Sequence, residues 1–277
     1  MGAEDGAGPD RDGGGAGAPG AAGLSLEVRG LGLRGPRGWA YRGVRVTAEP
    51  GSLVAVAGPS GSGRTSLLLT LTGRMRPTRG TALVGGLALP RRMAAVRRVS
   101  APAHMPGVTD LDPALTVAEH LRERALLQRR FGDSVRGLLR PRRERARAAR
   151  QGIDRALDAA GLDPRALPKG SRTAVRDLER VEGLRLSVAL ALIGRPRLLG
   201  VDDADLKLSP DERAEVWELL RSLTQDGTTV VAVCADAPED AVVVSTRDEH
   251  DPDEEHDAND TDDDEGAGDA RVATGRS

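Results

Sequence analysis

One stretch constrains the fold more than any other: Val54 to Leu69, VAVAGPSGSGRTSLLL. It reads as an apolar strand, a glycine-rich turn and an apolar helix. Inside it, Gly58-Pro59-Ser60-Gly61-Ser62-Gly63-Arg64-Thr65 follows the phosphate-binding pattern G-x-x-x-x-G-K-[ST], with arginine in place of lysine. A turn of this kind points successive backbone N–H groups inward. The helix that follows adds roughly half a positive charge at its start, so the feature suits a phosphate. The glycines at 58, 61 and 63 permit close approach, and Thr65 offers a hydroxyl to Mg²⁺.

Arg64 is the departure. A guanidinium is planar, forked and larger than an ammonium, so it still pairs with phosphate but cannot occupy the same space. Two explanations stand side by side. The chain uses arginine almost everywhere, with Lys169 and Lys207 the only lysines among 40 basic residues. Alternatively, selection on turnover has relaxed, and phosphate binding is retained while hydrolysis is weakened.

The remaining pattern is α/β. Leu24–Val28, Val44–Ala48, Leu53–Ala57 and Thr81–Val84 read as strands, with a Pro50-Gly51 turn between the second and third. A helix after Gly63 runs to about Gly73. Val117–Phe131, Arg145–Ala160 and Leu178–Ile193 have helical spacing, with Pro141 as an interruption, so a mostly helical insertion is expected between about 100 and 180. Strand character returns at Leu198–Val201 and Thr228–Cys234. Between them Pro210–Leu223 is a helix with Ser209 as N-cap. Alternating strands and helices imply a layered structure with a largely parallel sheet.

Both ends differ from this body. Residues 1–22 are Gly, Ala, Pro and Asp with almost nothing to bury, and 247–277 form an acidic tail; disorder is expected in both. Twelve of the eighteen residues from Asp248 to Glu265 are acidic, which a solvated, self-repelling segment accounts for. The tail reads as a solubilising appendage or as a tether folding back on the basic body. Metal binding through His250 and His256 has no ligand spacing behind it. Residues 23–246 carry 36 basic and 25 acidic side chains, so the near-neutral total is a cancellation. A lone Cys234 excludes an internal disulfide framework and points to the cytosol, and no apolar run reaches the ~18 residues of a membrane span. The arginine cluster 136–150 has no aromatics to stack bases and shares its segment with glutamate, so a solvated or protein-docking face is expected and nucleic acid is not.

In these motifs and their order the chain resembles the ATP-binding subunit of ABC transporters over about residues 24–245. The likeness rests on the glycine loop, on GRMRPTRGTALVGG and LTVAEHLRER, and on LSVALALIGRPRLLGVDDADLKLSPDERAEVWELLRSLTQDGTTVVAV. The resemblance implies a P-loop NTPase fold of ABC type: a mixed sheet core with an antiparallel β edge and an inserted helical subdomain. It implies one nucleotide-binding domain over 23–246, with ATP and Mg²⁺ as cofactors. Gly58, Pro59, Ser60, Gly61, Ser62, Gly63, Arg64, Thr65 and Ser66 would bind nucleotide. Trp39 would stack on adenine, being preferred to Tyr41, which falls in the following strand. Thr65 and Asp202 would hold the metal, and Asp203 would stand where the family has its catalytic glutamate.

The departures from the family are as informative. Asp203 is one methylene short. The family signature Leu-Ser-Gly-Gly-Gln aligns with Leu178-Glu179-Arg180-Val181-Glu182, where only the leucine survives. Pro-Thr after the acids becomes Ala204-Asp205, the following aspartate becomes Ser209, and the γ-phosphate-sensing histidine becomes Ala235. No glutamine lies between Arg76 and Leu127, and His104 nearby is expected to be an exposed loop residue.

The expected function is an ATP-binding subunit of an ABC-type transport complex with weak hydrolysis. It would be cytoplasmic, docked on an integral membrane transporter subunit through its helical insertion, and paired with itself or a second ATP-binding subunit. The alternative is a catalytically inactive pseudo-ATPase that scaffolds or regulates a membrane protein. An ATPase acting on nucleic acid or ribosomes is disfavoured, because the chain has one glycine loop and no internal repeat.

Overall fold

The computed structural model describes residues 23–131 and 141–246. The expectations for 1–22, for 247–277 and for most of the first half of the arginine cluster lie outside these residues. The first unit is antiparallel: β1 (Leu26–Gly35), β2 (Gly38–Ala48), β4 (Arg79–Val84) and β5 (Leu87–Leu89), in the order β2-β1-β4-β5. The second is parallel: β3 (Leu53–Ala57), β6 (Ser100–Ala103), β7 (Leu198–Val201), β8 (Thr229–Cys234) and β9 (Val242–Ser245), in the order β6-β7-β8-β3-β9.

The sequence dictates this division. LVAVA, LLGV and TVVAVC are unbroken apolar runs, as strands covered on both faces require, and β7 and β8 are buried at every position. In the antiparallel β1 and β2, burial alternates with exposure over much of the length. The helices are α1 (Arg64–Leu71), α2 (Met93–Val99), α3 (Val117–Phe131), α4 (Arg142–Ala159), α5 (Arg180–Leu192) and α6 (Pro210–Gln225). One apolar cluster fills the space between α1 and the two sheets, with Leu67, Leu68 and Leu71 against Val54, Val56 and Val231. A second joins the other face of the parallel sheet to α5, α6 and the helical layer, with Leu184, Val188, Leu220 and Val230. Thr229 ties the two sheets together: its hydroxyl accepts the N–H groups of Leu24 and Gly51, both at 2.9 Å.

Three expectations change. The sheet is two sheets, one antiparallel throughout and one parallel throughout. The helical insertion starts later than residue 100, because Ser100–Ala103 pairs in parallel with Leu198–Val201. The elements β5, α2, β6 and β9 are additions. A four-residue SAPA strand has neither alternation nor branched side chains to announce it.

Candidate functional site

Because the second sheet is parallel throughout, all its strands end on one edge, and that edge gathers the residues singled out above. The loop after β3 reaches α1 through Gly58, Gly61 and Gly63, at φ of 147°, 82° and 83°. Gly63 has no substitute: a Cβ there would lie 1.8 Å from the Ala40 carbonyl oxygen of β2. Helix α1 starts on Gly63 with no side-chain cap and no acidic residue in its first turn. The N–H groups of Gly61, Gly63, Arg64, Thr65 and Ser66 donate to no other group among the described residues. Five donors at an uncapped helix start are a phosphate-sized opening. Ser62 is buried and anchors the loop, accepting the Thr246 hydroxyl beyond β9 at 2.9 Å.

Asp202 stands at the end of β7, is 1% exposed, and accepts a hydrogen bond from the Thr65 hydroxyl. Burial pushes its pKa up, the neighbouring Asp203 adds to this, and the Thr65 bond and Arg64 oppose it. A hydroxyl bonded to a buried carboxylate beside open phosphate donors is the donor set that octahedral Mg²⁺ uses with a nucleotide. Among the described residues there is no group of three or more His, Cys, Asp or Glu for an all-protein metal cage. The residues therefore fit Mg-nucleotide in kind.

Arg64 does not lie along the loop's opening alone. Its Nη1 donates to the carbonyl oxygen of Cys234 at the end of β8. The Cys234 thiol beneath is inert: burial and then Asp205 push its pKa up to about 12. Asp203 adopts φ 47°, an unusual conformation for a non-glycine residue, and its N–H donates to Asp202 Oδ1 at 3.2 Å.

His104 overturns its expectation of simple exposure. It is half-buried at the end of β6, in register beside Asp202, with φ 48° and its N–H donated to Ser187 Oγ at 2.6 Å. Burial holds its pKa down, while Asp203 pulls it up and Arg180 lowers it. The sequence signal was its place directly after a strand that had not been recognised. Trp39 and Tyr41 also need correction, for both lie in β2. Tyr41 is core, 1% exposed, its hydroxyl bonded to Thr70 at 2.7 Å. Trp39 is half-buried, one residue from the Ala40 that abuts Gly63, and already has the Arg34 guanidinium 5.7 Å from its ring centroid.

Residues 41–205 match the family model described as ABC transporter. The chain belongs to the ABC transporter family. It is 34% identical over 184 residues to the Nod factor export ATP-binding protein I of Cupriavidus metallidurans, covering 66% of this chain and 54% of that protein. It is 34% identical over 227 residues to an ABC transporter ATP-binding protein of Streptomyces avermitilis, covering 77% and 74%. The first relative is thus spanned over about half its length. Among solved structures, a dimeric ATP-binding cassette in a post-hydrolysis state, bound to ADP and Pi, superposes with a TM-score of 0.61 at 20% identity, over 81% of this chain and 97% of that one. That likeness shows the cassette fold. Among the described residues no helix is long and apolar enough to cross a membrane.

Two departures from the family now have a structure. The residues aligned with the signature begin α5: Glu179 is its N-cap, Val181 is buried, and the Glu182 carboxylate folds back to accept the Glu179 N–H at 2.9 Å. Asp205 is buried beyond β7 and its carboxylate accepts the N–H groups of Ala235 (3.0 and 2.9 Å) and Asp236 (3.0 Å). The segment where the family senses the γ-phosphate is thereby clamped from within.

Proposed function

We propose that this cassette binds Mg-ATP at Gly58–Ser66 and hydrolyses it slowly, as the ATP-binding subunit of a transport complex held at the inner face of the membrane by another protein. The observation that carries the reading is the run of unpartnered N–H groups beside the Thr65–Asp202 hydrogen bond. The loop amides would take the phosphate oxygens, Thr65 would ligate the metal, and Asp202 would steer it through water. The metal supplies charge neutralisation between the β- and γ-phosphates when bound. Trp39 is the residue placed to meet a base, provided Arg34 yields its face. Arg64 would swing from Cys234 to the phosphates as they arrive.

Weak turnover follows from the other residues. Asp203 is the only carboxylate placed for a general base, and misplacement by about an ångström costs roughly a hundredfold. Ala235 offers no side chain to a γ-phosphate, and Asp205 holds its backbone. The start of α5 presents carboxylates where a partner's nucleotide would need donors, so the competent assembly pairs this chain with a second cassette whose signature is intact. The helical layer of α3, α4 and α5 is the face proposed for the membrane subunit.

Titration of the full chain with a fluorescent ATP analogue and Mg²⁺ tests the reading, with phosphate release measured in parallel. Saturable, Mg²⁺-dependent binding with little release is expected. Absence of saturable binding overturns it, and rapid release by the chain alone overturns the weak-turnover part. Arg64→Lys combined with Asp203→Glu should raise turnover little, because α5 still begins with the wrong residues.

A further inference from the structure

A groove of about 670 Å³ opens between α3, α5 and the loop after β6, away from the glycine loop. Its walls include Val108, Leu111, Leu127 and Leu190, and its floor holds Arg74 and Arg124. The two arginines are half-buried and spend part of their donor set on oxygens of the fold. Arg74 Nη1 donates to the Thr72 carbonyl at 2.7 Å and to Ser100 Oγ at 3.3 Å, and Arg124 Nε donates to the Leu190 carbonyl at 3.1 Å. Neither forms a salt bridge among the described residues.

The nearby acids do not supply the missing charge. Asp110 and Asp112 accept N–H groups of their own loop, from Gly107 and Ala114, at 2.9 and 2.8 Å, and Glu123 pairs with neither arginine. Burial, then Arg97, then Arg124 push the Arg74 pKa down to about 10, and burial lowers that of Arg124. A pair of partly desolvated cations facing each other lacks its counter-charge. Apolar exposure gathers at the same place. Of the five large hydrophobics exposed among the described residues, Val108 (49%), Leu126 (61%) and Leu127 (43%) lie on or beside this groove. An apolar rim around unpaired buried arginines has the anatomy of a protein interface, whose core is depleted of charge except for arginine anchors.

We infer that this groove receives an apolar segment of the membrane partner that carries an aspartate or glutamate, the carboxylate seating between Arg74 and Arg124 while its neighbours cover Val108, Leu126 and Leu127. The inference rests on the proposed transport role for the identity of the partner, and on the groove's own chemistry for the acid. The acid fixes register, because an apolar segment without it would leave both guanidinium groups buried and unpaired.

The test is selection of a phage-displayed library of 16-residue peptides on the full chain without nucleotide, so it reads independently of ATP binding. Enriched peptides are expected to carry one Asp or Glu flanked by apolar residues. Their binding should weaken by roughly thirtyfold or more on Arg124→Gln, hold largely on Arg124→Lys, and weaken on Leu127→Ser, each variant checked for an unchanged melting temperature. Arg124→Glu should select lysine- or arginine-bearing peptides instead. Enrichment of sequences without acids, no enrichment at all, or equal binding to wild type and Arg124→Gln overturns the inference while leaving the nucleotide reading intact. Displacement of the selected peptides by a synthetic peptide of residues 247–265 would give the groove to the chain's own acidic tail, and the assignment to a partner would fall.

Discussion

Two helix starts in this chain, those of α1 and α5, belong to the same family site and are treated in opposite ways. Helix α1 begins on a glycine at φ 83°, has no side-chain cap, and carries no acid in its first turn. Helix α5 begins on Glu179 and folds Glu182 back over its own N-cap amide. Both starts have the same partial positive charge. The first leaves it for an anion from outside, while the second has spent it on carboxylates the chain supplies. A helix start is a binding site only where the sequence declines to cap it, and that contrast separates receiving a phosphate from helping a partner hold one.

The comparison is broken most severely at Gly63. Gly63→Ala drives a Cβ into the Ala40 carbonyl oxygen and strains a left-handed residue, so a loss of roughly 3 kcal/mol in denaturant unfolding is expected, with nucleotide binding abolished. The next largest effect is at Asp202. Asp202→Asn keeps an oxygen for the Thr65 hydroxyl but removes the charge, so Mg²⁺-dependent affinity for ATP should fall by about tenfold to a hundredfold in titration. Stability should move the other way. The folded-state pKa of Asp202 is raised, so its ionised form destabilises the nucleotide-free fold at pH values above that pKa, and stability rises as pH falls through it. Asp202→Asn removes this dependence, and its Tm at neutral pH without nucleotide should exceed that of the wild type.

How much of this was legible before the structure follows from how local each signal is. The glycine loop, the strand ending in Asp202 and the cap at Ser209 are written in consecutive residues, and they stand where the periodicity put them: Leu53–Ala57 and Leu198–Val201 are the observed strands. Ser209 Oγ accepts the Glu212 N–H at 3.3 Å and Glu212 returns the bond at 2.7 Å. The position of His104 was hidden because β6 has no sequence pattern of its own; it exists by pairing with β7. Asp205 read as a lost Pro-Thr, whereas its partners are 30 and 31 residues away in sequence. The Arg74–Arg124 pair was invisible for the same reason. Three-dimensional contacts between loops carry no period.

Asp205 provides an intermediate test of the contrast, since it closes the edge of the site opposite to α1. Asp205→Ala leaves the Ala235 and Asp236 amides without their acceptor and should cost about 2 kcal/mol in stability. Faster amide hydrogen exchange confined to residues 234–237 is the local signature. Unchanged exchange there would mean that the β8 end is held by the sheet and not by the carboxylate.

The smallest effect falls on α5, and it sharpens the contrast most. Glu182→Ala removes the acceptor of the Glu179 N–H and should cost roughly 1 kcal/mol, the worth of one exposed capping bond. Glu182→Gln can still accept that N–H and should cost less, so the pair separates hydrogen bonding from charge. If the α5 start takes no part in the chain's own nucleotide site, both variants bind ATP with wild-type affinity despite their different stabilities. A change in affinity common to both would show that the carboxylate at the start of α5 reaches the loop of the same chain, and the two helix starts would then have to be treated as one electrostatic unit.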